Sequence, residues 1–204
     1  WYTARMRCLA PILLLAGSPL LAAEPLAAEI DRHIEAKARA ENIALSPTAD
    51  DAEFHRRVSL DFAGRIPTTE AARTFLTDTD PKKREKLIDR LLAAPEYAAR
   101  MADLFHVMLM ERLADRNVPR AEWMEFLRTS FVKNAPWDEM AREILSGDGR
   151  DAKQRQRVKF FVERAAEPNV VTRDIGRLFL GANLQCAQCH DHPLVEDYKQ
   201  DWYY

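Results

Sequence analysis

The 204-residue sequence contains few glycines and cysteines, and no excess of charge of either sign. With only six glycines, phosphate-binding loops are not expected, and the glycine-rich patterns of nucleotide-binding folds are absent from the sequence. A formal net charge of -2 argues against a nucleic-acid-binding surface, because such surfaces are basic. The three cysteines are Cys8, Cys186 and Cys189, and the last two stand three positions apart.

Known catalytic patterns are also absent from the sequence. It contains no Gly-x-Ser-x-Gly and no His-Glu-x-x-His, the patterns of many hydrolases and zinc proteases. The acids Asp61, Asp89, Glu96 and Asp103 are spread over predicted helices, where we expect them to be solvated or ion-paired. The sequence therefore offers no nucleophile–base pair and favours a non-enzymatic role.

Apolar residues recur at helical spacing along most of the chain, and no alternating strand pattern persists. Together with 47% hydrophobic and 30% charged residues, this pattern predicts one all-α domain, an irregular bundle of about six to eight helices. Start and stop signals indicate the helix boundaries. Helix starts are expected at Asp50 or Asp51, Thr68, Asp80-Pro81, Pro95 and Asn169, and further helices are expected from residue 24 to near Asn42, over 122–132 and over 137–145.

Two segments in the C-terminal half are less regular. Residues 151–159 are rich in charge, and we expect a solvated loop there. Residues 158–162 are apolar but too few for periodicity to separate a short strand from a helix start. The helix that begins at Asn169 is expected to run through Gly181 towards Cys186.

The N-terminus is typical of a secretory signal peptide. A short basic start at Met6-Arg7 precedes an apolar run over residues 9–21, and small residues follow up to Ala23. We predict a signal peptide over residues 1–23 and a helical domain over residues 24–204, with an uncleaved anchor as the alternative. The apolar run is short for a membrane span. We therefore expect an exported protein of the periplasm or cell envelope, with no stable membrane span after cleavage.

The most informative stretch is Cys186-Ala187-Gln188-Cys189-His190. Cys-x-x-Cys-His is the signature of covalent c-type haem attachment. Residues three and four apart on a helical turn share a face, so both thiols can reach the vinyl groups on one side of a haem. The motif predicts haem c as cofactor, with Cys186 and Cys189 as covalent tethers and His190 as the proximal axial ligand of the iron.

Other interpretations of these residues stay open. Cys186 and Cys189 can form a local disulfide or redox pair, although the β-α-β context of thioredoxin-like motifs is missing. Zinc can bind Cys186, Cys189, His190 and His192, but structural zinc sites usually take ligand pairs from separate segments. Two free thiols on a helix are the third alternative. In these cases the domain would be a haem-free interaction or scaffold module, or an accessory domain of an exported enzyme.

The second axial position of a haem iron needs a ligand from elsewhere. His192 is too close to His190 to reach the opposite face of the same ring, so we expect it to bond the backbone or a carboxylate near the turn, or to ligate another group. His106, Met108 and Met110, on one predicted helix, are the candidate distal ligands. Methionine there would raise the reduction potential relative to two histidines. A lone histidine such as His106 is more often a core residue than a ligand.

The position of the motif in the chain is unusual for a small cytochrome. In small cytochromes the motif comes early and the downstream chain surrounds the haem, whereas only 14 residues follow His190 here. Either upstream helices form the pocket, or the chain is truncated at its C-terminus, as the abrupt aromatic ending over residues 198–204 indicates.

Several blocks of the sequence resemble a known family. They are RRVSLDFAGRIPT at 56–68, KLIDRLLAAPEY at 86–97 and FLGANLQCAQCHDHP at 179–193, with QDWYY at 200–204 behind them. Over about residues 26–204 the chain resembles the planctomycete-type cytochrome-c-associated domain of unknown function, found in large exported bacterial proteins. The resemblance implies an exported, mostly helical domain with a haem-c-type motif, commonly joined to further domains.

The motif and the signal peptide lead to one functional hypothesis. We predict an exported c-type haem module that transfers electrons within a larger protein or assembly. It would exchange electrons with a redox partner protein, and no nucleic-acid partner is expected.

Overall fold

The structure is a computed structural model, and it describes residues 25–111, 113–196 and 198–202. The signal peptide predicted over residues 1–23 lies outside this part. All regular structure in the described part is helical, with nine α-helices, three 3-10 turns and no strand. The predicted all-α class is confirmed. The helix beyond the predicted six to eight is the short Lys159–Val162, in the segment whose periodicity was ambiguous.

The chain divides into two compact units, residues 1–48 and residues 49–204. In the described part of the first unit, helix α1 (Leu26–Ala40) carries oppositely charged side chains three or four residues apart, such as Glu29 and Arg32. Pairs at this spacing stabilise an exposed helix by a few tenths of a kcal/mol each, about 0.2–0.5. The helix predicted here is confirmed, and it ends two residues before the expected Asn42.

The second unit contains the other eight α-helices and the three 3-10 turns. The helices are α2 (Asp51–Ala63), α3 (Thr69–Thr77), α4 (Lys83–Leu92), α5 (Pro95–Met110), α6 (Arg120–Val132), α7 (Trp137–Leu145), α8 (Lys159–Val162) and α9 (Pro168–Phe179). The 3-10 turns are Ala152–Val158, Gln185–Gln188 and Gln200–Trp202.

Local capping signals set the ends of α2 and α3. The Asp50 carboxylate accepts a hydrogen bond from the Glu53 N–H at 2.8 Å, and the Thr68 hydroxyl accepts one from the Ala71 N–H at 3.2 Å. Gly64 ends α2 with a φ of 70°, a conformation that glycine adopts at little steric cost. The predicted caps at Asp50 and Thr68 are confirmed.

Two other helix starts differ slightly from their predictions. Helix α4 begins at Lys83 rather than at Pro81, because the Asp80 carboxylate accepts the Lys82 N–H at 2.8 Å and closes a turn ahead of the helix. Helix α9 begins at Pro168, one residue before Asn169, since proline suits the first position of a helix.

Two hydrophobic clusters stabilise the second unit. The smaller one joins α2, α3 and α4 through Val58, Phe75 and Leu87. The larger one joins α5, α6, α7 and α8, and Ile175, Leu178 and Phe179 of α9 pack against it. Its buried members are Ala102, Leu109, Met110, Trp123, Phe126, Leu127, Met140, Ile144 and Phe160. Burying a large apolar side chain contributes about 1.5–3 kcal/mol, so this cluster fixes the frame on which α9 lies.

The prediction of a solvated loop over residues 151–159 is wrong at the C-terminal end of that segment. Ala152–Val158 forms a 3-10 turn, and the side chain of Lys159 is 0% exposed. The Lys159 ammonium donates to the Val118 carbonyl at 2.5 Å and lies 2.8 Å from the Asp115 carboxylate and 3.2 Å from that of Glu163. These partners compensate for the loss of hydration, which is why a lysine is tolerated here.

The carboxylate of Glu163 ties the loop before α6 to the end of α8. It accepts hydrogen bonds from the N–H groups of Arg116, Asn117 and Val118 at 3.1, 2.9 and 3.0 Å. Burial alone would raise the pKa of Glu163, but these backbone bonds and Lys159 outweigh it and lower the pKa to about 2. The carboxylate is therefore ionised at neutral pH and holds the loop.

Arg164 fixes α9 against α5 and α8. Its buried guanidinium donates to the Asp174 carboxylate at 2.6 Å, to the Phe160 carbonyl at 2.9 Å and to the Leu109 carbonyl at 2.8 Å. Burial would raise the pKa of Asp174, but hydrogen bonds from Arg173 and Arg164 lower it. Because the partners lie on three helices, this network determines where α9 lies in the bundle.

Candidate functional site

The chain reverses direction between α9 and the cysteine motif. The helix predicted to continue towards Cys186 ends instead at Phe179, and Gly181 follows with a φ of 66°. The Ala182 N–H donates back to the Gly176 carbonyl at 2.9 Å. A Cβ on Gly176 would lie 3.0 Å from the Ala182 carbonyl oxygen and 3.1 Å from Cδ1 of Leu184. The segment leading into the motif is thus packed directly on the last turn of α9.

A single 3-10 turn presents the two cysteines. It spans Gln185–Gln188, and Ala187 between the cysteines is 1% exposed. Cys186 and Cys189 are exposed free thiols. Cys186 lies within this turn, and Cys189 directly follows it. The common face of the two thiols stays a prediction, and the turn that carries Cys186 is 3-10 rather than α-helical.

His190 follows the turn and has one of its ring nitrogens engaged. Its Nδ1 lies 2.6 Å from the carbonyl oxygen of Asp191. A carbonyl can only accept, so Nδ1 carries the proton and donates it. In the neutral ring, Nε2 then has a free lone pair, and the side chain is exposed. This tautomer is the one in which Nε2 can bind a metal ion.

His192 has the opposite arrangement. Its Nδ1 accepts hydrogen bonds from the N–H groups of Leu194 at 3.1 Å and Val195 at 3.0 Å. In the neutral ring the proton is therefore on Nε2. The ring also packs edge-on against Tyr198, with centroids 5.8 Å apart. The prediction that His192 bonds the backbone near the turn is confirmed.

Asp191, between the two histidines, connects the site to the C-terminal residues. Its carboxylate accepts the Gln200 N–H at 2.9 Å and lies 3.5 Å from the Lys199 ammonium. The backbone bond from Gln200 and the charge of Lys199 lower the pKa of Asp191. Sequence reasoning missed this residue, because its contacts are with a backbone group and an ordinary surface lysine, which no motif marks.

The candidate distal ligands lie on α5, away from the motif in sequence. Met110 is 0% exposed and belongs to the larger hydrophobic cluster. His106 is buried, and its Nδ1 has no hydrogen-bond partner among the described residues. Burial, and next the charge of Arg120, lower the pKa of His106. Met108 is 40% exposed, so it alone of the three has a side chain open to solvent.

The zinc interpretation requires several ligand side chains to converge on one ion. Among the described residues, no three or more His, Cys, Asp or Glu side chains converge as a metal site. Nδ1 of His192 is already committed to two backbone N–H groups.

No helix in the described part of the chain has the length and apolar character needed to cross a membrane.

Comparison with known proteins gives a family but no activity. The model of the PSCyt2 family, described as a protein of unknown function (DUF1549), matches residues 29–204. The search of curated proteins and the search of solved structures found no match. Since the match covers most of the chain, this protein belongs to the PSCyt2 family.

Proposed function

We propose that this member of the PSCyt2 family is an exported c-type haem module that transfers electrons. Cys186 and Cys189 would tether haem c, and His190 would be its proximal ligand. The observation that carries the proposal is the state of His190, whose Nδ1 proton is held by a carbonyl while Nε2 is free. Two exposed thiols precede it on one turn.

The residues of the motif fit such a group in three respects. Ala187 anchors the turn in the protein, and both cysteines are exposed. The three-residue spacing is expected to place the two thiols on one side of the turn. The carbonyl of Asp191 orients the imidazole of His190 and increases its basicity. When bound, haem supplies the one-electron chemistry, and the chain supplies tethers, ligand and surroundings.

The distal position is proposed for His106, Met108 or Met110. Met108 is exposed, whereas Met110 would have to leave the hydrophobic cluster. His106 has a ring nitrogen without a partner among the described residues. Replacing each by alanine and recording the spectrum and reduction potential of the loaded protein identifies the ligand. Loss of a methionine ligand should lower the potential.

The proposal also includes export of the protein and electron exchange with a partner protein. They are supported by the signal-peptide pattern over residues 1–23 and by the exposure of the motif. An exposed redox group is accessible to another protein, so the proposed partner is a second redox protein in the periplasm or cell envelope.

The experiment that tests the proposal is expression of the full chain in cells that attach haem c and mature a control cytochrome. We expect a Soret band, haem staining after denaturing electrophoresis and a mass increased by one haem. Thioether formation adds each thiol across a vinyl group without loss of atoms. Cys186→Ala with Cys189→Ala should abolish the stain, whereas His33→Ala, at an exposed histidine of α1, should leave it unchanged.

A colourless protein alongside a mature control cytochrome would refute the haem proposal. A mass lower by two hydrogens would then identify a Cys186–Cys189 disulfide and a haem-free scaffold role. An unmodified mass with stoichiometric bound zinc would identify the metal alternative instead.

A further inference from the structure

The segment after His190 folds back on itself through short-range hydrogen bonds. We call the described residues 191–196 and 198–200 the clasp. The carboxylate of Asp191 accepts the Gln200 N–H at 2.9 Å. The His192 N–H donates to the Tyr198 carbonyl at 2.8 Å. The beginning of the clasp is therefore joined to its end at two neighbouring residues.

One peptide unit lies at the centre of these contacts. The carbonyl of Asp191 and the N–H of His192 belong to the same planar group, and planarity couples their directions. On one side, the carbonyl accepts the Nδ1 proton of His190 at 2.6 Å. On the other side, the N–H donates to Tyr198 at 2.8 Å. Fixing the N–H thus fixes the carbonyl that holds the imidazole.

The side chain of His192 closes the clasp from within. Its Nδ1 accepts the N–H groups two and three residues later, at 3.1 and 3.0 Å. Asparagine and aspartate side chains make the same local bonds in Asx turns. The Tyr198 N–H donates to the Val195 carbonyl at 3.1 Å, and the Tyr198 ring packs on His192. The imidazole therefore holds the turn that brings Tyr198 back to the peptide unit.

We propose that the peptide unit between Asp191 and His192 sets the orientation and tautomer of His190, and that His192 is the positioning residue that maintains it. The inference rests on the proposed function, in which Nε2 of His190 binds iron. It gives the second histidine of the motif a role that is distinct from ligation. It also predicts that an amide at position 192 can replace the imidazole.

The first test uses the full chain without haem and with its thiols reduced. Long-range proton–nitrogen NMR, at a pH where both imidazoles are neutral, reports which nitrogen carries the proton. We expect the Nδ1–H form for His190 and the Nε2–H form for His192. A wild-type His190 in the Nε2–H form, which is the commoner form of an unconstrained imidazole, would overturn the inference without any variant.

The second test compares His192→Ala with His192→Asn. The alanine variant removes the acceptor for two N–H groups, so the His190 signals should move to the Nε2–H form. The asparagine variant can accept the same two N–H groups, so the His190 signals should match those of the wild type. Identical His190 spectra in the two variants would overturn the inference.

A second pair of variants, at Asp191, keeps the inference testable if His192→Ala does not fold. Asp191→Ala removes the acceptor for the Gln200 N–H, whereas Asp191→Asn can keep it. We expect the alanine variant alone to change the His190 tautomer. If both Asp191 variants retain the wild-type His190 signals, closure of the clasp does not position His190 and the inference is overturned.

The haem-loaded protein provides a separate measurement. Loss of the Nδ1 bond makes an imidazole a weaker donor, which stabilises the oxidised iron less. The reduction potential should therefore rise in His192→Ala and stay at the wild-type value in His192→Asn. A chain that takes up no haem but shows the expected tautomers refutes the proposed function alone. A loaded chain in which both variants keep the wild-type potential refutes the positioning role alone.

Discussion

At the scale of single residues, Glu163 shows how strongly this fold stabilises one buried charge. Its carboxylate accepts three consecutive backbone N–H groups and faces the buried ammonium of Lys159. A carboxylate with several such donors is ionised well below its ordinary range. Since the pKa is about 2 against an ordinary value of 4.5, ionisation of Glu163 favours the folded state.

The stability of the protein should therefore depend on pH through Glu163. A lowered pKa gives stabilisation that is complete above pH 4.5 and is lost as pH falls towards 2. The difference corresponds to on the order of 3 kcal/mol. In Glu163→Gln this part of the pH dependence should disappear, and the variant should be less stable at pH 7. Urea unfolding at pH 7, 4.5 and 3 measures the effect.

The matched control for this experiment is Glu139→Gln, at an exposed position of α7. It should retain the wild-type loss of stability in acid. If Glu163→Gln loses as much stability as the wild type between pH 4.5 and 3, the stabilisation assigned to Glu163 is wrong.

Some residue roles follow from sequence, and others depend on distant partners. Because His192 follows His190 by only two residues, it could be predicted to bond the backbone near the turn rather than the opposite face of a haem. Lys159 could not be predicted to be buried, because its partners Asp115 and Val118 come from a loop over 40 positions away.

At the scale of elements, the end of α9 determines where the motif lies. Helical periodicity predicted the helix, but not its end at Phe179, since Leu180 continues the apolar pattern. Helix α9 ends because the chain turns back over Gly176. The N–H groups of Leu180 and Ala182 both donate to the Gly176 carbonyl. That contact depends on the absence of a side chain at position 176.

Gly176→Ala should therefore be destabilising, although alanine normally favours a helix by about 0.5–1 kcal/mol over glycine. The new Cβ would lie 3.0 Å from the backbone carbonyl oxygen of Ala182, which has little freedom to move. We expect a loss of about 1–3 kcal/mol in the free energy of unfolding and faster amide exchange at Ala182. Urea unfolding and hydrogen exchange measure both effects.

Gly181→Ala is the comparison variant. Gly181 has a positive φ of 66°, but a Cβ added to it would meet nothing within 4 Å, so its cost is backbone strain alone, about 1–2 kcal/mol. Its Ala182 amide should exchange at close to the wild-type rate. Faster exchange in Gly181→Ala than in Gly176→Ala would contradict the role assigned to packing at Gly176.

At the scale of the whole molecule, both hydrophobic clusters belong to residues 49–204. The buried residues of the smaller cluster lie between Val58 and Leu87, and those of the larger one between Ala102 and Phe160. The all-α class could be predicted from periodicity, because apolar residues recur at helical spacing along the chain. The division into two clusters could not, since the apolar positions do not indicate which helices meet.

A chain that begins at Ala49 should fold independently. It retains every buried residue of both clusters and the Asp50 cap of α2. We expect cooperative thermal unfolding, followed by circular dichroism, with a midpoint within a few degrees of the full chain.

A shorter chain that begins at Lys83 provides the control. It lacks α2 and α3 and with them Val58 and Phe75 of the smaller cluster, so its unfolding midpoint should be clearly lower. Equal midpoints for the two truncated chains, or loss of cooperativity in the longer one, would contradict the independence of residues 49–204.

The clasp also has a consequence for the order in which the molecule assembles. Its bonds join residues six and nine positions apart, His192 with Tyr198 and Asp191 with Gln200. Loops of about ten residues close in roughly 10–100 ns, with a small entropic cost. The bond from Arg164 to the Leu109 carbonyl spans 55 positions and has to await the docking of whole helices. Closure of the clasp therefore does not depend on contacts that are distant in sequence, and it can precede the assembly of the helical core.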